Sequence, residues 1–186
     1  MVENDAPLKF LKVAFQDRKV GAVSPSSRHL VKRVLGYVEK DLKVIVEFGS
    51  GGGVMTKALL SHLASDGVLF AIEPNEDFIQ ILSRIPDTRV KVLQGKAEEV
   101  MAAWKRHRIP EADLVISSLP FSFLKPKERE ALVRLAYARM KKGGTCIIFH
   151  QYYPLAHKVL EKVFTKAIVS YEWRNFLPCF VFIAKK

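Results

Sequence analysis

Two acids in this 186-residue chain each close a short apolar run, Glu47 after Val44, Ile45 and Val46, and Glu73 after Phe70, Ala71 and Ile72. Glycines at 49, 51, 52 and 53 follow the first acid, and Val54, Met55, Ala58, Leu59 and Leu60 then repeat at helical spacing. A strand that turns through glycines into a helix lets backbone N–H groups and a helix N-terminus approach a ligand closely. Glu73 lies 20 residues beyond Gly53, near the spacing of an acid that takes ribose hydroxyls. Its carboxylate can accept from both hydroxyls of an adenosine cofactor; the competing reading is a helix-capping acid before Asn75. A third cluster, VISSLPFSF, brings together Ser117, Ser118, Leu119, Pro120 and Phe121. A proline-stiffened turn beside an aromatic suits holding a reacting lone pair in line and keeping water out. A plain strand-to-helix loop can have the same composition.

These clusters need strand ends to carry them, and the apolar pattern supplies such strands. It predicts helices near 6–19 and 25–40, strand 43–48, helix 53–65, strand 67–73 and helix 75–85. Strand 89–94, helix 97–107, strand 112–118, helix 126–141, strand 144–150 and helix 154–164 follow, with closing strands near 166–174 and 177–185. Alternating units of this kind imply a parallel sheet covered on both faces, with ligands at the carboxyl ends of the strands. The last two strands are too close in sequence for a parallel crossover, so the final one must run antiparallel. The expected fold is α/β and Rossmann-like: one domain over 1–186, with a seven-stranded, mostly parallel sheet, an antiparallel last strand and helices on both faces.

Composition narrows the class. No apolar stretch reaches the ~20 residues that cross a bilayer, and the amino terminus, with Glu3 and Asp5, lacks a signal-peptide core, so a cytoplasmic protein is expected. Cys146 and Cys179 lie in apolar strand contexts and read as reduced core thiols rather than a disulfide or metal site. The net charge of +11 is uneven. Residues 44–124 hold eight Lys/Arg against ten Asp/Glu, whereas residues 125–186 hold thirteen against four. Basic ends around a near-neutral centre point to a polyanionic partner, nucleic acid or an anionic membrane, unless the charge serves solubility alone.

The Glu47-x-Gly49-x-Gly51-x-Gly53 spacing resembles motif I of class I S-adenosylmethionine methyltransferases. Dinucleotide-binding proteins carry a similar loop, but they need no acid before the glycines and lack the closing antiparallel hairpin. The resemblance implies S-adenosylmethionine as cofactor, with Glu47 holding its methionine ammonium and Glu73 its ribose. Ser50, Pro74, Lys96, Ala97 and Ser117 complete the implied cofactor set. At LQGKAEEV most of the superfamily has an acid after the glycine to accept the adenine amino group. Lys96 stands there instead and can only donate, which leaves backbone groups of Lys96 and Ala97 for adenine. A module that binds the cofactor without catalysis is conceivable on that account, but the intact Glu47, Gly49, Gly51 and Glu73 speak against it.

Three further segments resemble the bacterial phospholipid N-methyltransferases, membrane-associated enzymes that methylate phosphatidylethanolamine. They are FLKVAFQDRKVGAVSPSSRHLVKRVL, VISSLPFSFLKPKEREALVRLAYARMKKGGTCIIFHQYY and WRNFLPCFVFIAKK, which together span nearly the whole chain. The run G-A-V-S-P-S-S is the most specific. On a helical wheel Leu8, Phe10, Leu11, Ala14 and Phe15 share one side, and Lys9, Lys12, Gln16 and Lys19 the other. Such a helix suits an anionic interface or ordinary packing on the sheet; residues 1–24 are expected to form this amphipathic helix and lid. Ser24 is the expected N-cap of the second helix. The turn of Ser24, Pro25, Ser26 and Ser27 reads as a gate over the cofactor and the headgroup phosphate. Ser118, Pro120, Phe121, Tyr152 and Tyr153 form the implied catalytic set, positioning the amine and facing methylated ammonium through their aromatic members. His150 reads as a core histidine, and family likeness has Asn175 bracing the loop at Pro120. The implied partners are a phospholipid substrate and an anionic membrane face. The main rival is rRNA adenine dimethylation, whose family shares motif I and an N-L-P-[YF] loop; here Ser118 replaces the Asn.

Overall fold

Period-two alternation sorts the strand residues onto two faces. The computed structural model describes residues 26–151 and 155–186, and of Phe123 only the backbone. Seven strands, β1 (Leu42–Phe48), β2 (Leu63–Glu73), β3 (Val90–Gln94), β4 (Ala112–Ser117), β5 (Met140–His150), β6 (Ala167–Glu172) and β7 (Cys179–Lys185), form one sheet in the order β3-β2-β1-β4-β5-β7-β6. Every pairing is parallel except those that β7 makes with β5 and β6, as expected. The described helices are α1 (Arg28–Leu35), α2 (Val54–Leu59), α3 (Glu76–Leu82), α4 (Ala97–Ala102), α5 (Pro126–Arg139) and α6 (Leu155–Val163).

Val46, Phe48, Val115 and Ile148 pack on one face with Met101 of α4, Val133 of α5 and Leu160 of α6. Ile45, Leu114 and Ile147 pack on the other with Leu30 of α1, Leu59 of α2 and Leu82 of α3. The two free cysteines are buried in these layers, and burial pushes both thiols up to about 12, so they stay protonated. No helix among the described residues is long and apolar enough to cross a membrane.

Several element ends differ from the sequence expectation, for tertiary reasons. The second helix spans Arg28–Leu35 rather than 25–40, and its N-cap is Ser27, not Ser24: Ser27 Oγ accepts from Leu30 N at 3.2 Å. Asn175 Oδ1 accepts from Ser27 N at 2.9 Å, which fixes that start. The helix expected over 53–65 ends at Leu59, passes through a 3-10 turn at Leu60–His62 and gives way to β2 at Leu63. Arg89 Nη1 donates to the carbonyls of Leu63 and Ala64, both at 3.2 Å, holding them extended. The expected helix 97–107 stops at Ala102. The closing strands retract to Glu172 and Cys179, leaving residues 173–178 as the hairpin turn.

Candidate active site

In this strand order the chain departs from β1 in both directions, to β2 and to β4, so the crevice opens at the carboxyl ends of β1 and β4. Glu47 lies one residue before the end of β1 and is 3% exposed. Thr56, in the first turn of α2, donates its hydroxyl to Glu47 Oε2 at 2.5 Å. Burial pushes the Glu47 carboxyl up to about 7; the Thr56 and Ser50 hydroxyls pull it down, and the charge of Glu73 raises it again. Among the described residues no cation contributes to that balance.

Beyond β1 the loop is pinned to its neighbours. Gly49 N donates to Ile72 O at 2.9 Å, and Ser50 N to the same oxygen at 3.3 Å. Gly51 N donates to Glu73 Oε2 at 2.9 Å, and Asn75 N to Glu73 Oε1 at 3.1 Å, so Glu73 ties the glycine loop to the start of α3. Asn75, not Glu73, caps that helix, accepting from Asp77 N and Phe78 N. Gly49 has φ +77°, and a Cβ there would lie 2.9 Å from Ser118 Oγ. Only glycine allows so close an approach in this conformation.

The loop after β4 closes the other side. Ser118 N donates to Phe48 O at 3.0 Å, Ser118 Oγ to Gly49 O at 2.6 Å, and Leu119 N to Ser117 Oγ at 3.3 Å. The Ser118 proton is thereby committed to the glycine loop, and its lone pairs are what it can offer a ligand. Pro120 is half-buried, and the Phe121 ring is 1% exposed, stacked on His150 with centroids 5.5 Å apart and an interplanar angle of 8°. Phe121 therefore packs the floor beneath the loop. Burial and then the positive Arg129 push His150 down to about 4, so it is a neutral core ring at physiological pH.

At the end of β3, Gly95 N donates to Glu73 O at 3.1 Å. Lys96 N donates to Glu99 Oε2 at 3.1 Å, while the exposed Lys96 ammonium lies 3.8 Å from Glu99 Oε1. Ala97 is buried and Pro74 exposed. The structure thus brings Glu47, Gly49, Ser50, Gly51, Gly53, Glu73, Ser117 and Ser118 to adjoining strand ends. Ser26 and Ser27 are half-buried at the start of α1. Asn175 Nδ2 donates to Leu177 O, and its oxygen holds Ser27 rather than the Pro120 loop. Ser24, Lys9, Lys12, Tyr152, Tyr153 and the lid over 1–24 lie outside the described residues. The sequence reading missed Thr56, whose full burial beside Glu47, on the helix that follows the glycines, is visible only in the structure.

A buried acid near neutrality, a glycine loop open to close approach and a second acid on the neighbouring strand of the same rim fit a ligand carrying an ammonium and vicinal hydroxyls. Residues 45–144 match a family model described as a methyltransferase domain. The chain belongs to that family. Its cofactor is S-adenosylmethionine, and the rim of Glu47, Gly49, Gly51 and Glu73 is where the residues fit it. This methyltransferase is 24% identical over 163 residues to ornithine lipid N-methyltransferase of Singulisphaera acidiphila, covering 86% of this chain and 84% of that protein. It is 28% identical over 102 residues to a probable ribosomal RNA small subunit methyltransferase A of Methanospirillum hungatei, covering 52% of this chain and 36% of the relative. Among solved structures, precorrin-6y C5,15-methyltransferase from Geobacter metallireducens superposes with a TM-score of 0.68 at 17% identity, over 86% of this chain and 89% of that one.

The raised Glu47 gives a pH signature. The folded chain holds this proton more tightly than the unfolded chain, so the residue's contribution to stability falls as pH rises from 4.5 to about 7 and is level above that. An ammonium brought beside Glu47 favours its ionised form, so cofactor binding at pH 6 is expected to release a proton. Affinity should then drop roughly tenfold per pH unit below 7. Calorimetry in two buffers of different ionisation enthalpy reads that proton. Glu47→Gln should abolish the release; an unchanged release would locate the proton on another group.

Proposed function

We propose that this methyltransferase transfers a methyl group from S-adenosylmethionine to the primary amine of a membrane lipid headgroup, phosphatidylethanolamine or another aminolipid, on the anionic cytoplasmic face of a membrane. One observation carries the reading. The likeness to an aminolipid N-methyltransferase runs over 86% of this chain and 84% of that protein, whereas the likeness to the ribosomal RNA enzyme covers half of this chain and about a third of the relative. Ser118 in place of the asparagine of the RNA family points the same way.

When bound, the sulfonium supplies an electrophilic methyl group. The protein's own part is to bind, orient and dry the site. Glu47 receives an ammonium, Glu73 receives hydroxyls while keeping Gly51 and Asn75 in place, and the Ser118–Gly49 bond fixes the two loops relative to each other. A lipid amine arrives protonated and must lose that proton before its lone pair is available. His150, neutral and buried under Phe121, is not arranged to take it. Partial desolvation of the amine lowers its pKa, so the proton passes to bulk water as the headgroup enters, with no dedicated base, and a Ser118 lone pair can accept one of the remaining N–H bonds. Tyr152 and Tyr153 follow β5 in sequence after Gln151, and family likeness implies a substrate role for both.

The test is transfer of radiolabelled methyl from S-adenosylmethionine to vesicles containing phosphatidylethanolamine, to vesicles containing ornithine lipid, and to deproteinised rRNA. Label in either lipid supports the reading and says which headgroup is preferred. Label in rRNA with both lipids inert overturns it.

A further inference from the structure

The turn between β6 and β7 exposes large apolar side chains where a water-soluble surface would bury or replace them. Trp173 is 68% exposed, Phe176 74% and Leu177 40%, all within five residues. We propose that this tip is a membrane-docking wedge, which seats the rim of the cofactor crevice on an anionic lipid surface; its purpose rests on the lipid reading above.

Register locates the tip. His150, at the carboxyl end of β5, pairs with Phe180, and Phe180 pairs with Tyr171. The turn beyond Glu172 and Cys179 therefore projects from the same end of the sheet as Glu47, Glu73 and Ser118. An opening on that end is what a headgroup must reach.

The tip is also held stiff from behind. Glu172 is fully buried and takes Arg174 Nε at 2.8 Å, Arg174 Nη2 at 2.9 Å and Arg33 Nε of α1 at 3.2 Å. Asn175, buried too, joins Ser27 N to Leu177 O. With Glu172 and Asn175 anchored inward, Trp173, Phe176 and Leu177 are left facing out.

The chemistry around them selects the occupant. The exposed Arg174 guanidinium lies 5.9 Å from the centre of the Trp173 ring, and exposed Arg28 begins the helix that Asn175 fixes beside the turn. Aromatic rings with arginines beside them suit the headgroup level of a bilayer, with Phe and Leu reaching the acyl boundary. Exposed Lys125 and Lys127, at the start of α5 on this same end of the sheet, add positive charge that complements anionic lipid. Ile168, Val169 and Tyr171 of the adjoining edge strand β6 are exposed too, so a second copy pairing there is the competing occupant that the sedimentation arm below tests. Base stacking would use Trp173 but has no use for an exposed Leu177.

The chain's two tryptophans allow a direct test, because Trp104 is 3% exposed and only Trp173 can report on the tip. Adding vesicles of equal parts phosphatidylglycerol and phosphatidylcholine to the full chain should shift its emission to the blue, and brominated acyl chains should quench it. The double variant Trp173→Ala/Phe176→Ala should bind these vesicles at least roughly tenfold more weakly, with unchanged affinity for S-adenosylmethionine. Unshifted emission while vesicle lipid is still methylated overturns the wedge and leaves the lipid reading intact. A lipid-dependent shift in a protein that methylates only rRNA supports the wedge and removes the lipid substrate. Quenching by rRNA and not by vesicles overturns it in favour of an RNA surface. Emission already blue and shielded from acrylamide without lipid also overturns it; sedimentation then tells whether a second copy or residues 1–25 of the same chain cover the tip.

Discussion

Replacing Glu73 with alanine is expected to weaken S-adenosylmethionine binding at least about 100-fold, read by calorimetric titration. Two losses combine. A carboxylate accepting from two ribose hydroxyls makes charge-assisted bonds of about 1.5–3 kcal/mol each, and alanine removes both. The same carboxylate holds Gly51 N and Asn75 N, so the glycine loop loses its tie to β2. Glu73→Gln keeps an acceptor but no charge and should fall between wild type and Glu73→Ala. The helix after Glu73 should survive in both variants, because Asn75 caps it through Asp77 N and Phe78 N. Unchanged circular dichroism with lost binding is therefore the expected pair of results. Retained affinity in Glu73→Ala would mean that the ribose lies elsewhere.

Much of this site is legible in sequence because its parts are local. A β-branched run, an acid and alternate glycines are contiguous, and the strand-turn-helix they specify is what β1 and α2 form. Close spacing of the last two strands likewise dictates the antiparallel β7. What sequence hides is contact across distance. Arg89 holds Leu63 and Ala64 extended from 26 and 25 positions away, ending a helix that periodicity alone would continue. Asn175 reaches back 148 positions to Ser27 and so moves a helix start that local capping rules assign to Ser24. Phe121 reads as a crevice aromatic from its loop; its stacking on His150 depends on β5 lying beside β4, and that neighbour turns the ring into floor.

Gly51→Arg carries the second large effect, and the chain supplies its own control. Gly51 has φ +50°, so any side chain there adopts a left-handed backbone at about 1 kcal/mol. Arginine would also fill the space beside Glu73 and could pair with it, taking the carboxylate from the cofactor. Binding should fall below detection in calorimetry while the protein stays folded. Gly143, with φ +81°, has nothing within 4 Å of a built Cβ and lies at the opposite end of the sheet, between Met140 and Thr145, which pair with Ala112 and Leu114 at the start of β4. Gly143→Arg therefore carries a similar backbone cost with no intrusion on the crevice. Both variants should melt slightly below wild type, and only Gly51→Arg should lose the cofactor. Equal losses in the two would attribute the effect to backbone strain, and the close approach of the cofactor to the glycine loop would have to be abandoned.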